Sequence, residues 1–510
     1  MSELQEAVSP HEVDSDGRLL NALRSATFCV DLTAQGAIFH AESSDVRAVL
    51  NRIQQQNHLT NDTLLEDGIS SDSNPRFAPQ DFDQKTHSLR PLLHLLNIII
   101  CVTKETLHPP AQPASCKCLP QCYLSRLRFH SHDIEVIGDY VNPLTPHGVG
   151  LLGGLPVGGR IFWEDVEVIV EVNDQIDALV QQAAMGARCS LLNNKRRFFA
   201  ISIGFNYRTL DVYFFVFHRS GLSSSRPLPL KTQQGFQDIV THIIGMMSIR
   251  DEMEYCLDVT RSQNTFCLNK RYYDVVHALY IRDSLCGRST AIYSLDGTDS
   301  CGFCMQVRLT PYAAHTGALA LGLRSQELTL SNGINSLPDQ MTYKVSYPVE
   351  GRALEGPLFS KFVGQFGIAD VVGYHMCGPD EPHGSTRRLF RGAEFWSVLG
   401  GDGHEPEERS QHCIALSSRG RDLLDLREKQ RGIPSPRELL ETLLHAIIGE
   451  SYFLCIRILT HMSIHLGHCG LFFGGVLHRD ISSGNIIRNS QPVKRPALQM
   501  CTLHFFFFFF

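Results

Sequence analysis

The chain opens without an apolar leader. Its first residues, MSELQEAVSPHEVDSDGR, are polar and acidic, whereas a secretory signal needs a hydrophobic stretch of roughly 7–15 residues. Long apolar runs are missing too. Leu92–Val102 is the longest uncharged apolar run near the start, far short of the ~20 residues that a bilayer helix needs. The richer stretch Tyr452–Val476 is interrupted by Arg457 and three histidines, so no membrane span is expected. There is no basic excess: 46 Lys+Arg stand against 53 Asp+Glu, for a formal charge of −7. That balance argues against a nucleic-acid partner. The 16 cysteines follow no framework. Cys116, Cys118 and Cys122 sit close together, but no second pair follows at the distances of a structural zinc site. They read as free loop thiols, as expected in a reducing compartment, and with no targeting signal the expected location is the cytoplasm or nucleus.

At 510 residues, with 43% hydrophobic and 19% charged, the chain is long enough for about three domains with buried cores. Residues 1–90 are polar and interrupted; they are expected to be poorly ordered, with Ile69–Pro79 a linker and room for a helix or two in Leu19–Gln56. Ser88–Asn97 has helical spacing, and Pro109–Pro120 breaks any regular structure. The β-branched run Val166–Val172 predicts a central strand. Asp177–Arg188 predicts a helix, Phe198–Phe205 and Leu210–Phe217 two strands joined at Asn206–Thr209, and Gly235–Met247 a closing helix. This order implies a small sheet covered by helices. Lys195-Arg196-Arg197 reads as a solvated turn. Residues 270–400 alternate strand-like runs with turn signals, and Leu321–Ser336 reads as a loop. The helix Ser435–Ile448 has a capping box (Ser435 and Glu438), Pro436 in its first turn and an apolar face from Leu439 to Ile448, with Gly449 placed to stop it.

The chemistry concentrates in VLHRDISSGNII, residues 476–487. Its core, H-R-D-x-x-x-x-N, is the pattern of a protein-kinase catalytic loop. There an Asp (Asp480) accepts the proton of an attacking hydroxyl, and an Asn five residues on (Asn485) reaches a metal ion at the phosphates. The pairs Val476-Leu477 and Ile486-Ile487 would anchor the loop as short strands. Such a loop needs a Lys for the phosphates and a helix Glu to hold it. Lys344 lies near the end of the strand-like run Gln340–Val345, and Glu355 lies where Arg352–Glu355 opens a helix. A phosphate-covering turn should come earlier; Ser284–Tyr293 carries one glycine, Gly287, where ordinary kinases have three.

The wording VLHRDISSGNI, with CGRSTAIY and YKVSYPVEGRALE before it, resembles the fungal-type protein kinase family, whose loop has a serine (here Ser482) where most kinases have a lysine. Phe162–Val166, Ile169–Val172, Gln182–Arg188 and Phe217–Gly221 are similar to the region that precedes the kinase lobes in that family. The resemblance covers roughly residues 90–490. It implies an α+β, two-lobed protein-kinase-like fold preceded by a small α/β domain: residues 91–265 the accessory domain, 266–400 the N-terminal lobe, 401–490 a partial C-terminal lobe. It also implies ATP with magnesium (Mg2+) as cofactors and transfer to Ser or Thr hydroxyls of a protein substrate. Asp480, Lys344 and Glu355 inherit catalytic roles, Gly287, Lys344 and Asn485 nucleotide contacts, and Asn485 the metal. The pattern departs from the family downstream. No Asp or Glu occurs from Ile486 to Phe510, where a second metal-binding Asp belongs. Residues 491–510, ending in six phenylalanines, read as a non-native tail. The expectation is therefore a kinase homologue with little phosphoryl transfer as written, the alternative being a non-catalytic pseudokinase-like binding protein.

A third reading concerns the accessory domain. Glu171 at the end of a strand, Asp165 before it and Gln182 on the next helix are similar to the layout of PD-(D/E)xK nucleases. Asn173 stands where those enzymes carry their Lys, which argues for a structural or partner-binding domain instead.

Overall fold

The computed structural model describes most residues within 19–55, 85–107, 127–247, 265–297, 328–360, 371–376 and 385–422, and also 487–489. The chain is mixed α/β, with large sheets and few helices. It divides into two compact units. The described residues within 1–257, 283–287 and 378–409 form the first, and those within 258–282, 288–377 and 410–510 the second. Among the described residues no helix is long and apolar enough to cross a membrane.

Among the described residues the first unit is built on a nine-stranded sheet, eight of its strands lying within the first 229 residues and the ninth being Glu394–Phe395. Its elements are β1 (Thr27–Cys29), α1 (Ser43–Gln55), α2 (Lys85–Leu107), β2 (Leu127–Ser131), β3 (Gly148–Leu152), β4 (Val166–Asn173), α3 (Ile176–Asn193), β5 (Phe199–Asn206), β6 (Asp211–His218), β7 (Gly221–Ser224), β8 (Leu228–Pro229) and α4 (Gln233–Met247). The β-branched run of β4 is buried from Val166 to Val172 because both its edges are paired, antiparallel to β3 and parallel to β5. A parallel pair needs a crossover, and α3 supplies it. The small residues Ala183, Ala184, Gly186 and Ala187 are all buried, and a Cβ at Gly186 would lie 3.2 Å from Ile169. The β5–β6 hairpin turns where the sequence places it. The Asn206 carboxamide oxygen accepts from the backbone N–H of Arg208 (3.0 Å) and Thr209 (3.2 Å), an Asx turn of the kind asparagine favours.

Three expectations are corrected here. Residues 1–90 are not uniformly loose: β1 pairs parallel with β7 and antiparallel with Glu394–Phe395, and α1 buries Val46, Val49 and Ile53. The apolar residues of this region come in short clusters, and only pairing with distant strands turns them into structure. Arg197 is no solvated turn residue. Its side chain is 1% exposed and donates to the Val166 carbonyl (2.6 Å), the Ser190 hydroxyl and the Glu167 carboxylate (3.0 Å). Finally, residues 385–409 do not belong to a separate lobe. They are held in the first unit by a Ser220–Thr386 hydroxyl contact of 2.6 Å, by Ser223 donating to the Leu389 carbonyl, and by the Trp396 N–H on the Thr27 carbonyl at 2.9 Å.

That clamp includes a fully buried histidine. His218 accepts the Ser220 N–H at Nδ1 (3.2 Å), so its Nε2–H donates to the Ser223 hydroxyl (3.0 Å). Burial pushes its pKa down to about 3 from an ordinary value of 6.5. Between these two values the unfolded chain takes up a proton that the folded chain refuses. Stability is thus fully present above pH 6.5 and is lost as pH falls toward 3. Urea unfolding of the first unit is expected to lose about 2 kcal/mol between about pH 7 and 5 from this group, and His218→Gln to flatten that slope. An identical slope in the variant would disprove the assignment.

Among its described residues the second unit holds a seven-stranded antiparallel sheet, with β9 (Thr265–Leu268), β10 (Arg271–Ile281), β11 (Ala291–Gly297), β12 (Thr329–Leu330), β13 (Gln340–Ser346), helix α5 (Glu355–Phe359), β14 (Val371–Met376) and β15 (His412–Leu416). The strand order is β12-β14-β15-β13-β11-β10-β9. β15 lies between β13 and β14, inside the range expected to start a C-terminal lobe at 401. That boundary is corrected: residues 412–416 finish this sheet. A separate two-stranded pair joins Gly420–Asp422 to Ile487–Asn489, so a short strand does follow the H-R-D-x-x-x-x-N segment. The segment itself, the helix expected at Ser435–Ile448, the cysteines 116, 118 and 122, and the phenylalanine tail lie outside the described residues.

Candidate functional site

β13 reads QMTYKVS, and its pleat sorts these residues by polarity. Met341, Tyr343 and Val345 face one side and Thr342, Lys344 and Ser346 the other, all of them buried. The apolar side is filled by an aromatic cluster: Phe266 lies 5.5 Å from Tyr293 and 5.0 Å from Tyr343, centroid to centroid. The polar side carries the chemistry. Lys344 pairs in register with Ile292 of β11 and Ile414 of β15, so its ammonium rises from a strand bordered on both edges. Helix α5 packs against β14 and β15. It begins at Glu355, the first helical residue after Leu354. A Cβ at Gly356 would meet Tyr374 at 2.5 Å, so glycine is what permits this approach.

The result is a buried ion pair. Lys344 Nζ donates to Glu355 Oε2 at 2.5 Å, with side-chain exposures of 1% and 3%. The second carboxylate oxygen, Oε1, accepts from Arg288 at 2.7 Å. Burial pushes the Lys344 ammonium below the ordinary lysine range, and the Glu355 carboxylate opposes that shift. Across the sheet, His412 stands opposite Ser346. Its imidazole is lowered to about 4, chiefly by burial; the Glu355 charge opposes the shift, while Lys344 and Arg288 add to it.

The structure thus brings together two of the residues expected from sequence, Lys344 and Glu355. Gly287 is grouped with the first unit. It has φ of +93°, a conformation suited to glycine, and its N–H donates to the Arg219 carbonyl at 2.7 Å. Asp480 and Asn485 lie outside the described residues. Sequence reasoning passed over Arg288 and His412. Arg288 directly follows the singled-out glycine, a signal that was available. His412 had none, because its place depends on β15 inserting between β13 and β14.

The nuclease-like layout in the first unit resolves differently. The Glu171 carboxylate is hydrogen-bonded to His147, and Asn173 donates to Gln182 at 3.3 Å. Burial raises the Asp165 carboxyl. Among the described residues no group of three or more His, Cys, Asp and Glu is placed to hold a metal ion. Compared with protein-family models, curated proteins and solved structures, the chain matches none of them.

Proposed function

We propose that the chain is a protein-kinase homologue whose second unit holds the phosphates of ATP through Lys344, with Glu355 fixing that lysine. The observation that carries this reading is the buried Lys344–Glu355 pair, formed between β13, an inner strand of the antiparallel sheet, and α5, the helix that follows it. Protein kinases place a Lys on β3 and pair it with a Glu of the next helix. The residues suit a phosphate group chemically: an ammonium oriented by one carboxylate, with a guanidinium beside it, is a donor set for anionic oxygens. Bound ATP with magnesium supplies the phosphoryl group. By the family resemblance, Asp480 would take the hydroxyl proton of a Ser or Thr in a protein substrate, and Asn485 would hold the metal.

Equilibrium binding of ATP tests the first step. The wild-type chain is expected to bind it, and Lys344→Met to weaken binding at least tenfold while retaining the circular dichroism of the fold. Failure of the folded wild type to bind ATP would overturn the reading. Transfer from Mg-ATP to a protein acceptor, abolished by Asp480→Asn, would define a kinase. Binding without transfer would define the non-catalytic alternative.

A further inference from the structure

We infer that Arg288 is a second anion-binding cation of the Lys344 site, which suits the site to a polyphosphate chain rather than a single phosphate. The identity of the ligand rests on the nucleotide reading above; the role of Arg288 rests on its own geometry. Glu355 is shared, one oxygen to Lys344 and the other to Arg288. Of the three side chains, Lys344 is 1% exposed, Glu355 3% and Arg288 18%. An anion arriving from solvent therefore meets the guanidinium before the ammonium.

Arg288 also has donors to spare. A guanidinium carries five N–H groups in a planar fork that matches phosphate oxygens. Its Nε is buried and has no hydrogen-bond partner. The same holds for His412 Nε2 and Ser346 Oγ, in residues each 1% exposed. Ser346 lies on the Lys344 face of β13, two positions along, and His412 stands opposite it on β15. Next to His412 Nε2 is the start of α5: a Cβ at Gly356 would be 3.1 Å away. Buried polar atoms are mostly satisfied in folded proteins, and these three lie near the ion pair, where a polar ligand would find donors and an acceptor without partners. Two cations anchored on separate oxygens of one carboxylate offer two points of positive charge, and a chain of phosphates, with its greater negative charge, engages them more strongly than a single phosphate does.

The test is calorimetric titration of the full chain, without magnesium, with ATP, AMP and inorganic tripolyphosphate. Wild type is expected to bind ATP and tripolyphosphate more tightly than AMP. Arg288→Gln should weaken both polyphosphates about tenfold and AMP by clearly less. Arg288→Lys, which keeps the charge but loses the fork, should fall between. If Arg288→Gln fails to fold, Arg288→Lys decides: weakened tripolyphosphate binding supports the inference, and unchanged binding overturns it. Equal losses for AMP and ATP, or no tripolyphosphate binding by wild type, would also overturn it. ATP binding that ignores Arg288 removes this inference and leaves the nucleotide reading standing. Tripolyphosphate binding that depends on Arg288, with no binding of ATP, does the reverse.

Discussion

Glu355→Ala is expected to destabilise the second unit by about 3–5 kcal/mol, the cost of removing one partner from a buried ion pair. The carboxylate is 3% exposed and answers two cations, Lys344 and Arg288. Its loss leaves both without the charge they share, in surroundings where Lys344 is already disfavoured as an ammonium by burial. Urea unfolding, followed by a probe in this unit, measures the effect. The double variant Lys344→Met/Glu355→Leu should recover much of the loss, since replacing buried ions by apolar groups of similar size is often neutral or better. If the single variant unfolds at the wild-type urea concentration, the pair contributes little to stability.

Arg197→Ala is expected to cost a similar amount, about 3–5 kcal/mol, in the first unit. Three groups lose their donor at once: the Val166 carbonyl, the Ser190 hydroxyl and the Glu167 carboxylate. Glu167 and Ser190 are themselves buried. Arg197 therefore ties the start of β4 to α3 from the segment that leads into β5. Chemical denaturation of wild type, Arg197→Ala and Arg197→Met/Glu167→Leu separates the charge effect from the volume effect. A loss below about 0.5 kcal/mol, the usual scale of surface substitutions, would return Arg197 to the role of a solvated turn residue.

Arg197 shows where reading a sequence stops. Three consecutive cations between a helix and a strand look like a solvated turn, because nothing local announces a carboxylate at position 167 on the neighbouring strand. The elements themselves were legible. β4, β5 and β6 emerge within a residue or two of their expected places, because apolar and β-branched runs carry a strand signal of their own. α3 and α4 follow from helical spacing in the same way. β1 did not emerge from the sequence: three residues, TFC, carry no period, and their strand exists only through pairing with β7 and Glu394–Phe395. The boundary at residue 400 failed for a related reason. The chain leaves the second unit, lays residues 385–409 against the first, and returns to place β15 beside β13, a route no local pattern encodes.

For this protein the sequence alone determined the period-2 and helical segments and nominated Lys344 and Glu355, because alternation, spacing and motif are properties of neighbouring residues. Tertiary structure alone decided that those two side chains meet at 2.5 Å out of water, that Arg288 shares their carboxylate, and that His412 stands across the sheet. Such juxtapositions depend on strand order and register, which arise from which edges bury the most apolar surface together rather than from any short stretch of chain.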